Sequence, residues 1–139
     1  MHKQDAVFCK QLLLEAYKER TMKFICLSGA EADKEALRKE YRETQRWGEA
    51  RIGKEHLFYR SFIKIKYVSI NEIERIYIRE ESGESGEFLL LESYLMIKTK
   101  DGVLHKLRIE WERNAHAVLF HIKNNYPLVA VGFDGSNEI

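Results

Sequence analysis

The sequence predicts an α+β fold in which N-terminal helices precede an antiparallel β-barrel or half-barrel of six or seven strands, capped by a C-terminal helix. Three observations predict it. Apolar residues before Trp47 recur at helical spacing, the segments from Trp47 to Trp111 alternate, and the stretch after Trp111 returns to helical spacing. With 139 residues, 45% of them apolar, the chain fits one packed domain most economically.

Charge and cysteine content limit the class of protein. The chain has 23 Lys and Arg against 22 Asp and Glu, and this balance argues against a general nucleic-acid binder, although it permits a local basic patch. Cys9 and Cys26 form no disulfide framework, and the N-terminus has no long apolar run. We therefore expect a soluble cytoplasmic protein with buried thiols.

The first 46 residues are predicted to form a helical segment that packs on the sheet or on a partner. Residues 5–20 have one broad apolar side, as an amphipathic helix does. Residues 28–47 contain good helix formers, with Ser28 as the candidate N-cap. The segment between them, "TMKFICL", fits either an extension of the first helix or a short strand.

From Trp47 onward the sequence predicts short strands in meander order. Alternation is clear in "FIKIKYVSI" and in "IERIYIRE", and "ESGESGE" is a polar loop. Asp101-Gly102, the strongest hairpin signal in the chain, joins the last two strands.

The last predicted element is a helix between Trp111 and Pro127, the only proline. An apolar sheet face must be covered, so we expect this helix to lie across the open side of the half-barrel. It would bury Val118, Leu119 and Ile122, at roughly 1.5–3 kcal/mol for each large aliphatic side chain.

A two-residue turn at Asp101-Gly102 would place Leu107 opposite Met96. The other face of this hairpin would then carry an apolar set that needs a cover: Leu89, Leu91, Leu95 and Ile97. The helix of residues 5–20 is the expected cover, and a partner subunit is the alternative. A bulge that shifted the register by one residue would instead place Leu95 and Ile97 in the core.

Two stretches, "IGKEHLFYRSFIKIKYVSINEIERIYIRE" and "RNAHAVLFHIKN", carry a resemblance to a known family. Residues 47–127 resemble the bacterial pleckstrin-homology-like (PH-like) domains. The resemblance implies a PH-like domain that occupies residues 47–139 together with the C-terminal tail, while the helical segment 1–46 is not part of the common domain. It also implies a non-enzymatic binding or scaffolding module. Bacterial domains of this kind are not reliably phosphoinositide binders.

We therefore expect a module that binds an unidentified protein partner, in one version at the inner membrane face. Two alternatives remain open. One is a small-ligand-binding protein or enzyme of the helix-grip type, for which the segment between Trp111 and Pro127 is short. The other is a homo-oligomerising structural domain.

A basic patch is the sharpest candidate site. If Ile63, Ile65, Ile76 and Ile78 face inward, five side chains face out: Lys64, Lys66, Arg75, Tyr77 and Arg79. A turn near Asn71-Glu72 would pair the two strands and bring like charges together. An anionic lipid head group, a phosphate or an acidic peptide would relieve their repulsion. Ordinary solvated surface charge is the competing and more frequent explanation.

The sequence contains no clear pattern for a metal, a cofactor or catalysis. Glu112 and His116 share a helical face but have no third ligand at a fixed spacing, and surface histidines are the expected alternative. Neither cysteine lies in a nucleophile elbow, and "SGESG" lacks the lysine of a phosphate-binding loop. We predict no catalytic, cofactor-binding or metal-binding residues.

Overall fold

The computed structural model describes residues 22–85, 88–133 and 135. Its elements follow in chain order: β1 Lys23–Cys26, α1 Lys34–Arg42, β2 Gln45–Trp47, β3 Ala50–Ile52, β4 His56–Ser61, β5 Lys64–Ser69, a 3-10 turn Ile70–Glu72, β6 Ile73–Ser85, β7 Phe88–Thr99, β8 Leu104–Ile109, α2 Glu112–Asn125 and β9 Ala130–Val131. Neither of these two helices is both long and apolar enough to cross a membrane.

The strands form two open, mixed sheets. One has the order β1-β5-β4-β3-β2 and the other the order β8-β7-β6-β9. Strands β1 and β5 pair in parallel, as do β6 and β9, and the other pairs are antiparallel. The α+β class agrees with the sequence prediction. The single capped barrel or half-barrel of six or seven strands is not matched, because β5 and β6 belong to different sheets.

The N-terminal prediction is only partly matched. The helix of residues 5–20 lies outside the described residues, and "TMKFICL" contains strand β1. Helix α1 is shorter than predicted and is capped by Asp33, not Ser28, since the Asp33 side chain accepts the Ala36 N–H. Gly48 takes φ +62° in the turn after Trp47, which allows β2 to pair with β3 instead of continuing the helix.

One hydrophobic core lies between the two sheets, and we call it the inter-sheet core. Helix α2 contacts strands of both sheets. It buries Ala115, Val118 and Ile122 completely in this core, and Leu119 packs partly against it. The predicted burial of Val118 and Ile122 is therefore confirmed.

A second core, which we call the α1 core, covers the other face of the five-stranded sheet. Leu37 and Tyr41 of α1 pack there against Phe58, Ile65 and Tyr67. The Tyr41 and Phe58 rings meet edge to face, with centroids 5.3 Å apart. Strand β4 is thus covered on both faces, which explains why "LFY" is a continuous apolar run and not an alternating one.

The β7–β8 hairpin differs by one residue from the register of a two-residue turn. Leu107 pairs with Leu95, not with Met96. The Thr99 N–H donates to the Val103 carbonyl at 3.0 Å, and Gly102 takes φ +88°, as in a three-residue turn with a bulge. Leu95 and Ile97 are consequently buried in the inter-sheet core, as the alternative with a shifted register predicted, and the separate apolar face that needed a cover around them is wrong.

Candidate anion-binding groove

The predicted basic patch is divided between the two sheets. Lys64 and Lys66 lie on β5, which pairs with β1 and β4. The other three residues lie on β6, which pairs with β7 and β9: Arg75, Tyr77 and Arg79. The predicted hairpin at Asn71-Glu72 is wrong because the 3-10 turn, whose Ile70 is buried, leads the chain from one sheet into the other.

The three β6 side chains contact nearby parts of the fold. An Arg75 guanidinium N–H donates to the Gly132 carbonyl at 2.7 Å, and the buried Tyr77 ring lies 5.2 Å from the Phe133 ring. Arg79 lies 3.6 Å from Glu81. The structure therefore does not bring the five predicted residues together, and Tyr77 is not a surface residue.

A different basic site lies at the end of the five-stranded sheet where the β2–β3 and β4–β5 turns meet the end of β8. It is an open cavity of about 360 Å³, which we call the arginine groove. Eight residues line it: Arg46, Gly48, Glu49, Arg51, Arg60, Phe62, Glu110 and Trp111.

Strand register explains why three arginines converge there. Arg46 lies opposite Arg51, and Arg51 lies opposite Phe58. Arg60 is two residues beyond Phe58 on β4, so all three arginines belong to the sheet face that α1 covers. Arg51 stacks over the Tyr41 ring, with its guanidinium carbon 4.3 Å from the centroid.

Arg46 and Arg60 are held in place by backbone carbonyl groups. Arg46 donates from Nε to the Gly48 carbonyl at 3.1 Å, and Arg60 donates from Nε to the Phe62 carbonyl at 3.0 Å. Within the part of the chain that the structure describes, neither Arg46 nor Arg60 forms a salt bridge. A guanidinium has five N–H donors, so each keeps donors for a ligand. Glu49, the acidic neighbour, accepts the Glu110 N–H at 2.8 Å.

Exposed aromatic side chains border the groove. Phe62 is 86% exposed and Trp111 is 55% exposed. Phe62 is the first residue of the two-residue β4–β5 turn, because Ser61 pairs with Lys64, and it takes φ +58°. Glycine normally occupies such a position, since a side chain there is strained. Its neighbour Ile63, which was predicted to face inward, is 44% exposed.

A second polar cluster joins α1 to the β3–β4 turn. The Glu40 carboxylate accepts the backbone N–H groups of Glu55 and His56, at 3.1 and 2.8 Å, and lies 2.7 Å from His56 Nδ1. Glu40, Glu55 and His56 offer ligand atoms within 4.8 Å of one another. Because the Glu40 oxygens already have these three partners, we interpret the cluster as a structural link. His56 is mostly buried and is not the surface histidine expected.

The predicted Glu112–His116 pair forms on α2, at 3.0 Å and exposed to solvent. The hydrogen bond from His116, together with one from Glu80, lowers the pKa of Glu112. The bond to Glu112 in turn raises the pKa of Glu80. The cluster is a surface network that ties β6 to α2.

The part of the chain that forms the arginine groove matches the model of a known domain family. The model of DUF6709, a domain of unknown function, matches residues 15–138. The chain belongs to the DUF6709 family. No match was found among curated proteins or among solved structures. Every residue that lines the groove lies inside the DUF6709 match, so the groove is built entirely from residues of that domain.

Proposed function

We propose that this chain is a non-catalytic binding module that holds an anionic group of its partner in the arginine groove. The observation that carries the proposal is the convergence of Arg46, Arg51 and Arg60 on one open cavity. Guanidinium groups bind phosphate and carboxylate through two parallel N–H bonds, and bonds to charged groups contribute about 1.5–3 kcal/mol each.

The order of elements supports a PH-like interpretation of the domain. Strands β2 to β5 form one antiparallel meander, β6 to β8 form a second, and α2 follows. The predicted plan has six or seven strands followed by a helix, and β1, α1 and β9 are additions to that plan. Under this interpretation the chain is a cytoplasmic binding or scaffolding protein.

The packing gives less support to the two alternatives. A helix-grip protein holds its ligand between helix and sheet, where α2 instead buries Val118 and Ile122 completely. Oligomerisation through the β7 face would need Leu95 and Ile97 at the surface, and both are in the inter-sheet core.

Isothermal titration calorimetry of the purified chain with pyrophosphate tests the proposal. We expect the Arg46→Gln/Arg60→Gln double variant to bind at least tenfold more weakly, because it loses two charged donors. Arg108→Gln is the matched control, since Arg108 is an exposed arginine on the other sheet, 3.7 Å from Glu92. Equal affinity of the double variant and the wild type, or no binding by either, would overturn the proposal.

A further inference from the structure

We propose that the anionic group in the groove comes from a lipid bilayer, and that the tip of the β4–β5 hairpin enters the apolar edge of that bilayer. This inference rests on the proposed function, because the same arginines would hold the lipid phosphates. The tip consists of Phe62 and Ile63.

The first argument is the chemistry of the tip. Single exposed apolar side chains are ordinary, but here two large ones are adjacent on a tight turn. The φ of +58° at Phe62 favours glycine, so the geometry of the turn does not account for an aromatic residue there. Backbone strain of this kind is typical of ligand-binding positions. Trp111, a residue type that favours membrane interfaces, lies on the same groove.

The second argument is the charge around the tip. Arg60 and Lys64 flank it on opposite faces of the hairpin, because Lys64 pairs with Ser61. Lys23 of the neighbouring strand lies beside Lys64 and donates its N–H to the Ile63 carbonyl at 3.0 Å. With Arg46 and Arg51, five basic residues surround the tip and groove, against the carboxylates of Glu49 and Glu110. Clusters of this size are attracted to anionic lipids.

A bilayer accounts for both features together. An acidic peptide in the groove would pair with the arginines but would leave the Ile63 side chain, which does not line the cavity, without a role. An anionic bilayer presents phosphates above an apolar layer, so a basic surface with a projecting apolar tip is complementary to it.

Vesicle sedimentation tests the inference, with phosphatidylcholine vesicles that either contain or lack phosphatidylserine. We expect the full chain to bind only the phosphatidylserine vesicles. The Phe62→Asn/Ile63→Ser variant should partition roughly tenfold to a hundredfold more weakly, as the loss of one or two buried apolar side chains predicts. Asparagine is chosen because it tolerates positive φ. The control is Leu128→Ser, since Leu128 is 95% exposed and lines a different cavity, together with Ile70 of the 3-10 turn that follows β5.

The outcomes separate the two proposals. Phosphatidylserine-dependent binding that the tip variant loses and Leu128→Ser keeps supports the inference. A wild-type chain that binds pyrophosphate but neither vesicle overturns the lipid inference alone. Vesicle binding unchanged in the tip variant overturns insertion of the tip. A wild-type chain that does not bind pyrophosphate overturns the proposed function and the inference that rests on it, whether or not the chain binds vesicles.

Discussion

Replacing Phe62 with glycine is expected to raise the free energy of unfolding slightly, although it removes a large apolar side chain. The ring is 86% exposed, so its buried remainder contributes only about 0.2–0.4 kcal/mol. A side chain at φ +58° costs roughly 1–2 kcal/mol, which glycine avoids. The greater freedom of glycine in the unfolded chain offsets roughly 0.5–1 kcal/mol of that gain. The net stabilisation is about 0.5 kcal/mol.

Urea unfolding followed by tryptophan fluorescence measures this difference, with the slope of the transition expected to stay constant. Ser61→Gly is the matched control. Ser61 is the adjacent exposed residue at the end of β4, where glycine should lower the free energy of unfolding by roughly 0.5–1 kcal/mol. If Phe62→Gly lowers the midpoint as much as Ser61→Gly does, the strain argument is wrong.

Two further predictions concern stability. Gly53→Ala should lower the free energy of unfolding, measured in urea, by about 1–3 kcal/mol, because the new Cβ would clash with a Glu40 oxygen and break the bonds of Glu40 to the β3–β4 turn. Lys54→Ala is the control and should have little effect. Equal losses in the two variants would contradict this reasoning. Burial lowers the pKa of His105 below its ordinary value of 6.5, although the nearby Asp101 carboxylate acts in the opposite direction. The contribution of His105 to the free energy of unfolding is therefore fully present above pH 6.5, and it is lost as the pH falls from 6.5 through the pKa of the folded state. In the His105→Gln variant, the free energy of unfolding should depend less on pH below pH 6.5 than it does in the wild type. Parallel curves of unfolding free energy against pH for the variant and the wild type would refute the role assigned to His105.

Much of the fold follows from periodicity, but the register does not. The helical spacing of Val118 and Ile122 correctly predicts a buried helix. The Asp101-Gly102 pair fits both a two-residue turn and a three-residue turn with glycine at positive φ. The two registers differ in whether Leu95 and Leu107 lie on the same apolar face of the hairpin. Which register forms depends on the packing of the whole core and not on the sequence of the turn.

The groove could not be predicted, because its three arginines meet only through strand pairing. Arg46 lies in a segment whose composition favours a helix, but residues 45–47 form strand β2, which pairs with β3 through the turn at Gly48. Nothing in the local sequence marks Arg51 or Arg60 as a neighbour of Arg46. The five residues of the predicted patch are not brought together for the same reason, since residues on β5 and β6 are close in sequence but lie in separate sheets.

The α1 core has a consequence for local unfolding of the domain. Strand β1 forms one edge of the five-stranded sheet and α1 packs on one face of that sheet, whereas α2 packs in the inter-sheet core. The two cores are built mainly from different side chains, although Leu27 after β1 packs partly against the inter-sheet core. We therefore expect β1 and α1 to detach as one cooperative unit before the inter-sheet core opens. Their amide protons should then exchange with deuterium together, and earlier than those of β4.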